Sequence, residues 1–123
     1  MVKYAVLDTN FILSCIRKKI DFFVDIPQMG LGILIPLQVL DEIKKFSRQA
    51  RGTLKEEAKL ALVILQNQKF KRVDLYNKNV DNGIIKMAND NPNYIVATLD
   101  RAIKVKTKNS NLVIRGEKEL EIV

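Results

Sequence analysis

Apolar and polar positions along the chain change period repeatedly, and the changes lay out an alternation of strands and helices. Val2 to Leu7 is a short, nearly continuous apolar run that stops at Asp8-Thr9-Asn10, side chains suited to capping a helix. Phe11, Ile12, Cys15 and Ile16 then recur at helical spacing, and Arg17, Lys18 and Lys19 set cations at the negative end of that helix dipole. A second short helix is predicted over Asp21 to Gln28. Gly32 to Pro36 reads as a buried strand closed by a proline where a helix starts, and Leu37 to Arg48 repeats the helical period. Thr53-x-x-Glu56 forms a capping box ahead of a helix carrying Ala58, Ala61, Leu62 and Leu65. Phe70 to Leu75 predicts a strand, Asn79 or Val80 to Asn89 a helix, and Asn91-Pro92-Asn93 a turn. Tyr94 to Thr98 then reads as a central strand, Arg101 to Lys108 as a helix and Leu112 to Ile114 as the last strand.

Strands and helices that alternate in this way predict an α/β fold: a three-layer α/β/α sandwich with a mainly parallel central sheet, because right-handed crossovers place helices on both faces. The 123 residues suffice for one domain over 1–123, with no linker, repeat or low-complexity tract to divide them. In such sheets the functional crevice lies beyond the carboxyl ends of the strands, where strand order reverses.

Composition narrows the chemistry. The chain has no histidine and one cysteine, Cys15. Imidazole acid-base chemistry, Ser-His-Asp and Cys-His nucleophiles, disulfide frameworks and cysteine-histidine zinc sites are therefore excluded, leaving carboxylates, lysine or a metal to carry any catalysis. No apolar run reaches the 18 or so residues of a membrane helix, and the N-terminus lacks a secretory pattern, so a cytoplasmic protein is expected. Lys and Arg outnumber Asp and Glu by 21 to 14, a net charge of +7 that suits an anionic partner.

Two aspartates fall at strand ends, Asp8 after the first strand and Asp100 two residues past Thr98, and so on the same rim. Singly, each reads as a helix cap. On the helix from Leu37, Val39, Leu40, Ile43 and Phe46 share one arc, with Glu42 at its border and Asp41 turned away. Asp81 falls in phase with Ile84, Ile85 and Ala88, so a carboxylate is expected on the core-facing stripe, whereas Asp90 is opposite. A buried unpaired carboxylate costs several kcal/mol, so Asp81 requires a cation, a cap role or a metal. If Asp8, Glu42, Asp81 and Asp100 converge, their mutual repulsion demands a divalent ion, and hard oxygen ligands select Mg2+ or Mn2+. Such a site serves phosphodiester hydrolysis, with Asn10 and Thr98 as groups that orient Asp8 and the substrate oxygens.

These residues resemble the PIN domain nearly end to end. Val6-Leu7-Asp8-Thr9-Asn10 is similar to the opening motif, Pro36 to Glu42 to the helix with the glutamate, Val80 to Ile85 to the third-acid motif and Val96 to Arg101 to the fourth. Within the family the chain resembles most the archaeal relatives of the rRNA-processing PIN nuclease of the small-subunit processome, including the closing stretch Leu112 to Gly116, and less a VapC-type toxin ribonuclease. The resemblance implies a Mg2+- or Mn2+-dependent endoribonuclease with Asp8, Glu42, Asp81 and Asp100 as catalytic and metal-holding acids, and Asn10 and Thr98 in support. Relatives often carry a second aspartate after the third acid, where this chain has Asn82, which offers an amide oxygen but no charge, and an asparagine where it has Leu99.

Lys44, Lys45, Arg48 and Arg51, followed by Lys55, form one basic stretch without an intervening acid; Arg101 and Lys104, with Lys106, Lys108 and Arg115, form another beside Asp100. Both would meet RNA phosphates, giving salt-sensitive affinity with little sequence reading; solvated helix faces are the plain alternative for about half of them. Phe11, Phe22, Phe23 and Tyr94 read as core. Expected partners are RNA, foremost an rRNA precursor, ribosome-assembly proteins and a second copy of the chain, which would extend the basic surface; no membrane is expected. Two other classes compete: a non-cutting RNA-binding assembly module with a degenerate acidic pocket, and a phosphoryl-accepting receiver domain, which would want an acid next to Asp8 that this chain lacks.

Overall fold

A computed structural model describes residues 3–123; Val2, assigned by its apolar run to the first strand, lies outside them. Six strands and six helices alternate: β1 (Lys3–Leu7), α1 (Thr9–Arg17), α2 (Phe22–Gln28), β2 (Leu31–Pro36), α3 (Leu37–Gln49), α4 (Gly52–Gln66), β3 (Lys71–Val73), α5 (Val80–Asp90), β4 (Ile95–Ala97), α6 (Arg101–Lys106), β5 (Asn111–Arg115) and β6 (Glu119–Ile122). The sheet order is β3-β2-β1-β4-β5-β6, parallel throughout except for the β5–β6 pair. From β1 the chain steps one way to β2 and β3, then crosses to β4 on the other side of β1. Right-handed crossovers therefore place α1 to α4 on one face and α5 and α6 on the other. Helix contacts divide in the same way, α1, α3 and α4 touching one another and α5 touching α6.

The core sits where β1, β2 and β4 meet the helices. Ala5, Val6, Leu7, Leu34, Ile35, Val96 and Ala97 are all but fully buried, with Phe11, Ile12, Ile43, Ile84 and Ile103 packed on them. This two-sided burial is why the strands read as continuous apolar runs rather than alternating ones.

Four expectations change in detail. The capping box at Thr53 does not form: α4 starts at Gly52 after Arg51, without a side-chain cap. The link from α3 is only Ala50 and Arg51, and Gly52 turns it with a φ of +64°, which an L side chain disfavours. The strand predicted from Phe70 to Leu75 is confined to Lys71–Val73, because the Leu75 N–H is taken by the Gln38 side chain and the Tyr76 N–H by Asp74. α6 stops at Lys106 rather than Lys108, with Thr107 extended. Finally, β6 was not anticipated: Glu119-Leu120-Glu121-Ile122 is short and half charged, and pairs with β5 across a turn at Gly116, whose φ is +56°.

Candidate active site

β1 and β4 are neighbours in the sheet but far apart in the chain, and the order reverses between them, so their carboxyl ends form the crevice predicted for this topology. Asp8 follows β1 directly. Its main-chain N–H donates to the Ala97 carbonyl at 3.1 Å, fastening the two strand ends together. One carboxylate oxygen, Oδ1, accepts from the Phe11 N–H at 2.7 Å and caps α1. The other, Oδ2, accepts from the Thr98 hydroxyl. That hydroxyl in turn accepts from the Asp100 N–H at 3.0 Å, and Asp100 Oδ1 caps α6 through the Ala102 N–H at 2.9 Å. Each aspartate thus caps a helix while standing at the strand-end crevice, and Thr98, fully buried, links the two.

A cavity of about 190 Å³ opens at this rim, lined by Asp8, Thr9, Asn10, Glu42, Val80, Asp81 and Asp100. Glu42 comes from α3 on the helix phase expected of it, beside the buried Ile43. Asp81 comes from the first turn of α5. It is exposed, not buried as its phase implied: Ile84 and Ala88 carry the core face, while the first turn lies at the rim. The buried carboxylate is Asp8, only 6% exposed. Burial above all pushes its carboxyl up to about 6, with the Thr98 and Phe11 hydrogen bonds opposing the shift and the charges of Asp81 and Asp100 adding to it.

None of the four acids is ion-paired among the described residues; the pairs there are Arg17–Glu57, Lys59–Glu56, Lys86–Asp90 and Arg115–Glu121. The Thr9 hydroxyl in the cavity wall is buried without a hydrogen-bond partner. Converging carboxylates, a desolvated aspartate and an orphan hydroxyl suit a hard divalent cation with its attendant oxygens. Among the described residues no three of the acids stand as a ready-formed ligand set; what they share is the cavity wall.

The remaining candidates separate. Asn10 lines the cavity but is exposed, and Asp8 is oriented by Thr98 and Phe11 instead. Asn82 lies outside the cavity wall, exposed, with its N–H on the Asn79 side chain that caps α5. Lys44, Lys45, Arg48, Arg51 and Arg101 are exposed and Lys104 half-buried, all beyond the cavity. Arg115 is engaged by Glu121. Thr9 escaped the sequence reading, although its place in the capping cluster was the available signal. An adjoining hollow of about 340 Å³ also escaped it, sharing Asn10 and Asp100 with the acidic cavity and reaching Arg17 and Leu99.

Comparison with known proteins agrees with this architecture. The PIN-like domain family matches residues 5–116. Ribonuclease VapC4 of Methanocaldococcus jannaschii is 33% identical over 124 residues, covering 94% of this chain and 92% of that one. The rRNA-processing protein fcf1 of Schizosaccharomyces pombe is 26% identical over 134 residues, covering 98% of this chain and 66% of its own length. The solved PIN domain endonuclease Utp24 has the same fold, with a TM-score of 0.78 at 23% identity over 97% of this chain and 90% of that chain. The rim of acids therefore stands in a PIN-type sheet, and the chain belongs to the PIN-like domain family.

Proposed function

We propose that this chain is a divalent-metal-dependent endoribonuclease, formed as one domain over residues 1–123, that hydrolyses RNA phosphodiester bonds in rRNA processing. The observation that carries the reading is the convergence of Asp8, Glu42, Asp81 and Asp100, without cation partners among the described residues, on one cavity at the reversal of strand order. Asp8, Asp81, Asp100 and Glu42 would hold Mg2+ or Mn2+. When bound, such an ion neutralises charge on the phosphodiester and acidifies water. Asp8 enters as a carboxylate whose orientation is set before any ligand arrives, since Thr98 and the α1 N-terminus fix both oxygens. The free Thr9 hydroxyl offers a hydrogen bond to a phosphate oxygen or water. Lys44, Lys45, Arg48, Arg51, Arg101 and Lys104 would meet flanking phosphates.

A VapC-type ribonuclease role outside rRNA processing is the second reading, favoured by the higher identity to Ribonuclease VapC4. The test is cleavage of structured and single-stranded RNA, including rRNA precursor, by the purified chain. Cutting is expected with Mn2+ or Mg2+, none with EDTA, and none after Asp8→Asn or Asp100→Asn, with RNA binding retained. Preference for rRNA precursor over unrelated RNA separates the two roles. Firm RNA binding with no metal-dependent cutting of any substrate would establish a non-catalytic assembly module instead.

A further inference from the structure

Of the three tyrosines, two are half-buried and packed edge to face, Tyr4 on Tyr94 with centroids 5.9 Å apart. The third, Tyr76, is 90% exposed. Its φ is +50°, in the left-handed region that a bulky side chain disfavours, so the surrounding structure must impose it. Four contacts do so. Asp74 Oδ1 accepts from the Tyr76 N–H at 2.8 Å and from Gln38 Nε2 at 2.7 Å. Gln38 Oε1 accepts from the Leu75 N–H at 3.0 Å, and Asn77 Oδ1 from the Asn79 N–H at 2.9 Å. On the other side the loop packs on Gly83, where a Cβ would come within 2.9 Å of the Leu75 side chain and 3.3 Å of Asn77.

The two helices that brace this loop are the ones that bring acids to the cavity. Gln38 lies one turn before Glu42 on α3, and Gly83 two residues after Asp81 on α5. The loop itself leaves the carboxyl end of β3, on the same rim as Asp8. A fully presented ring on a braced backbone beside the proposed cutting site has a physical use: aromatic faces stack unpaired bases with little sequence preference. Leu75 beside it is turned onto Gly83, and the rest of the loop, Asp74, Asn77, Lys78 and Asn79, is polar, which argues against an apolar protein-docking patch. Lys78, exposed, adds a cation for the adjoining phosphate.

We infer that Tyr76 is a stacking platform for an unpaired base of the RNA strand flanking the acidic cavity. The inference rests on the RNA-cutting reading for its substrate class, but not on cutting itself. The chain contains no tryptophan, so Tyr76→Trp introduces a sole tryptophan at this position, excited selectively on the red side of tyrosine absorption. In EDTA, single-stranded RNA is expected to quench its emission, and a blunt duplex of equal length to leave it unchanged. Tyr76→Ala should weaken single-strand binding about 10-fold, with Tyr76→Phe close to wild type. In a cutting assay the Ala variant should raise KM and spare kcat. Quenching in a chain that never cuts would keep this inference and sink the nuclease reading; cutting that ignores Tyr76→Ala would do the reverse. Equal quenching by duplex, or emission that responds only to rising protein concentration, would overturn the stacking role, the latter by assigning the ring to self-association.

Discussion

The two ends of the central sheet treat charge in opposite ways. At the amino end, Lys71 Nζ lies 4.8 Å from the Tyr4 ring centroid, and the Arg72 guanidinium lies 4.2 Å from that of Phe70. Asp90 near the same end is paired with Lys86 at 2.9 Å. Each of these charges has a local answer, worth little individually and requiring nothing from outside. At the carboxyl end, Asp8, Glu42, Asp81 and Asp100 share one cavity with no cation among the described residues to answer them, in a chain with 21 Lys and Arg. Cations are plentiful, yet none lines this cavity. Unpaired carboxylates sharing one cavity wall are the arrangement that the proposed cation would complete.

The largest effect should come from removing that unanswered charge. Asp8→Asn keeps the α1 cap, since an amide oxygen also accepts from the Phe11 N–H, yet removes a charge central to the site; cutting should fall by at least about 100-fold. Thr98→Val comes next. It strips the donor from Asp8 Oδ2 and the acceptor from the Asp100 N–H in a fully buried position, at a cost of about 1–3 kcal/mol by denaturant titration. Cutting should drop about 10- to 100-fold, as when an orienting group behind a metal-holding carboxylate is lost. A Thr98→Val chain that cuts normally would mean that Asp8 is oriented by something else.

Protonation reads the same imbalance. The Asp8 carboxyl moves from 3.8 to about 6 on folding, chiefly through burial, so between these values the folded chain holds a proton that the unfolded chain has released. Metal-free stability should therefore be highest below pH 4 as far as this group is concerned, and decline as pH rises to about 6, by roughly 3 kcal/mol in all. Denaturation in EDTA, wild type against Asp8→Asn, isolates that contribution. The variant should lack the decline and equal or exceed wild type at pH 7, and Mn2+ at pH 7 should stabilise wild type alone. A wild type that gains on the variant between pH 4 and 6 would show that the pocket favours the ionised form.

Much of this rim was legible in the chain. Asp8 and Asp100 announce themselves because an apolar strand ends immediately before a helix cap, a local signal, and Glu42 follows from helical phase. Phase misled at Asp81, since it reports direction around a helix but not whether a given turn overlies the sheet. The hydrogen bond that Asp8 Oδ2 accepts comes from Thr98, 90 positions away, and no local pattern carries that. The Tyr76 loop is hidden for the same reason: its braces from Gln38 span 36 and 37 positions. β6 eluded detection because alternating Glu and Leu or Ile over four residues is a weak signal, made a strand only by the edge of β5.

The smallest effect belongs to the amino end. Lys71→Ala removes the ammonium from the Tyr4 ring at an exposed position, where such a contact contributes about 0.5–1 kcal/mol. Tyr4 keeps its edge contact with Tyr94, so the fold should persist and the thermal midpoint shift by only a few degrees. Cutting should be unchanged, because the extended β1 strand separates Tyr4 from Asp8 by roughly 13 Å at about 3.3 Å per residue, beyond direct contact with the reacting phosphate. RNA affinity at low salt should fall only slightly, by the share of one exposed charge in +7. A Lys71→Ala chain that binds RNA many-fold more weakly would place the nucleic-acid path along β3 to both ends of the sheet, and the division between a self-contained end and a dependent one would no longer hold.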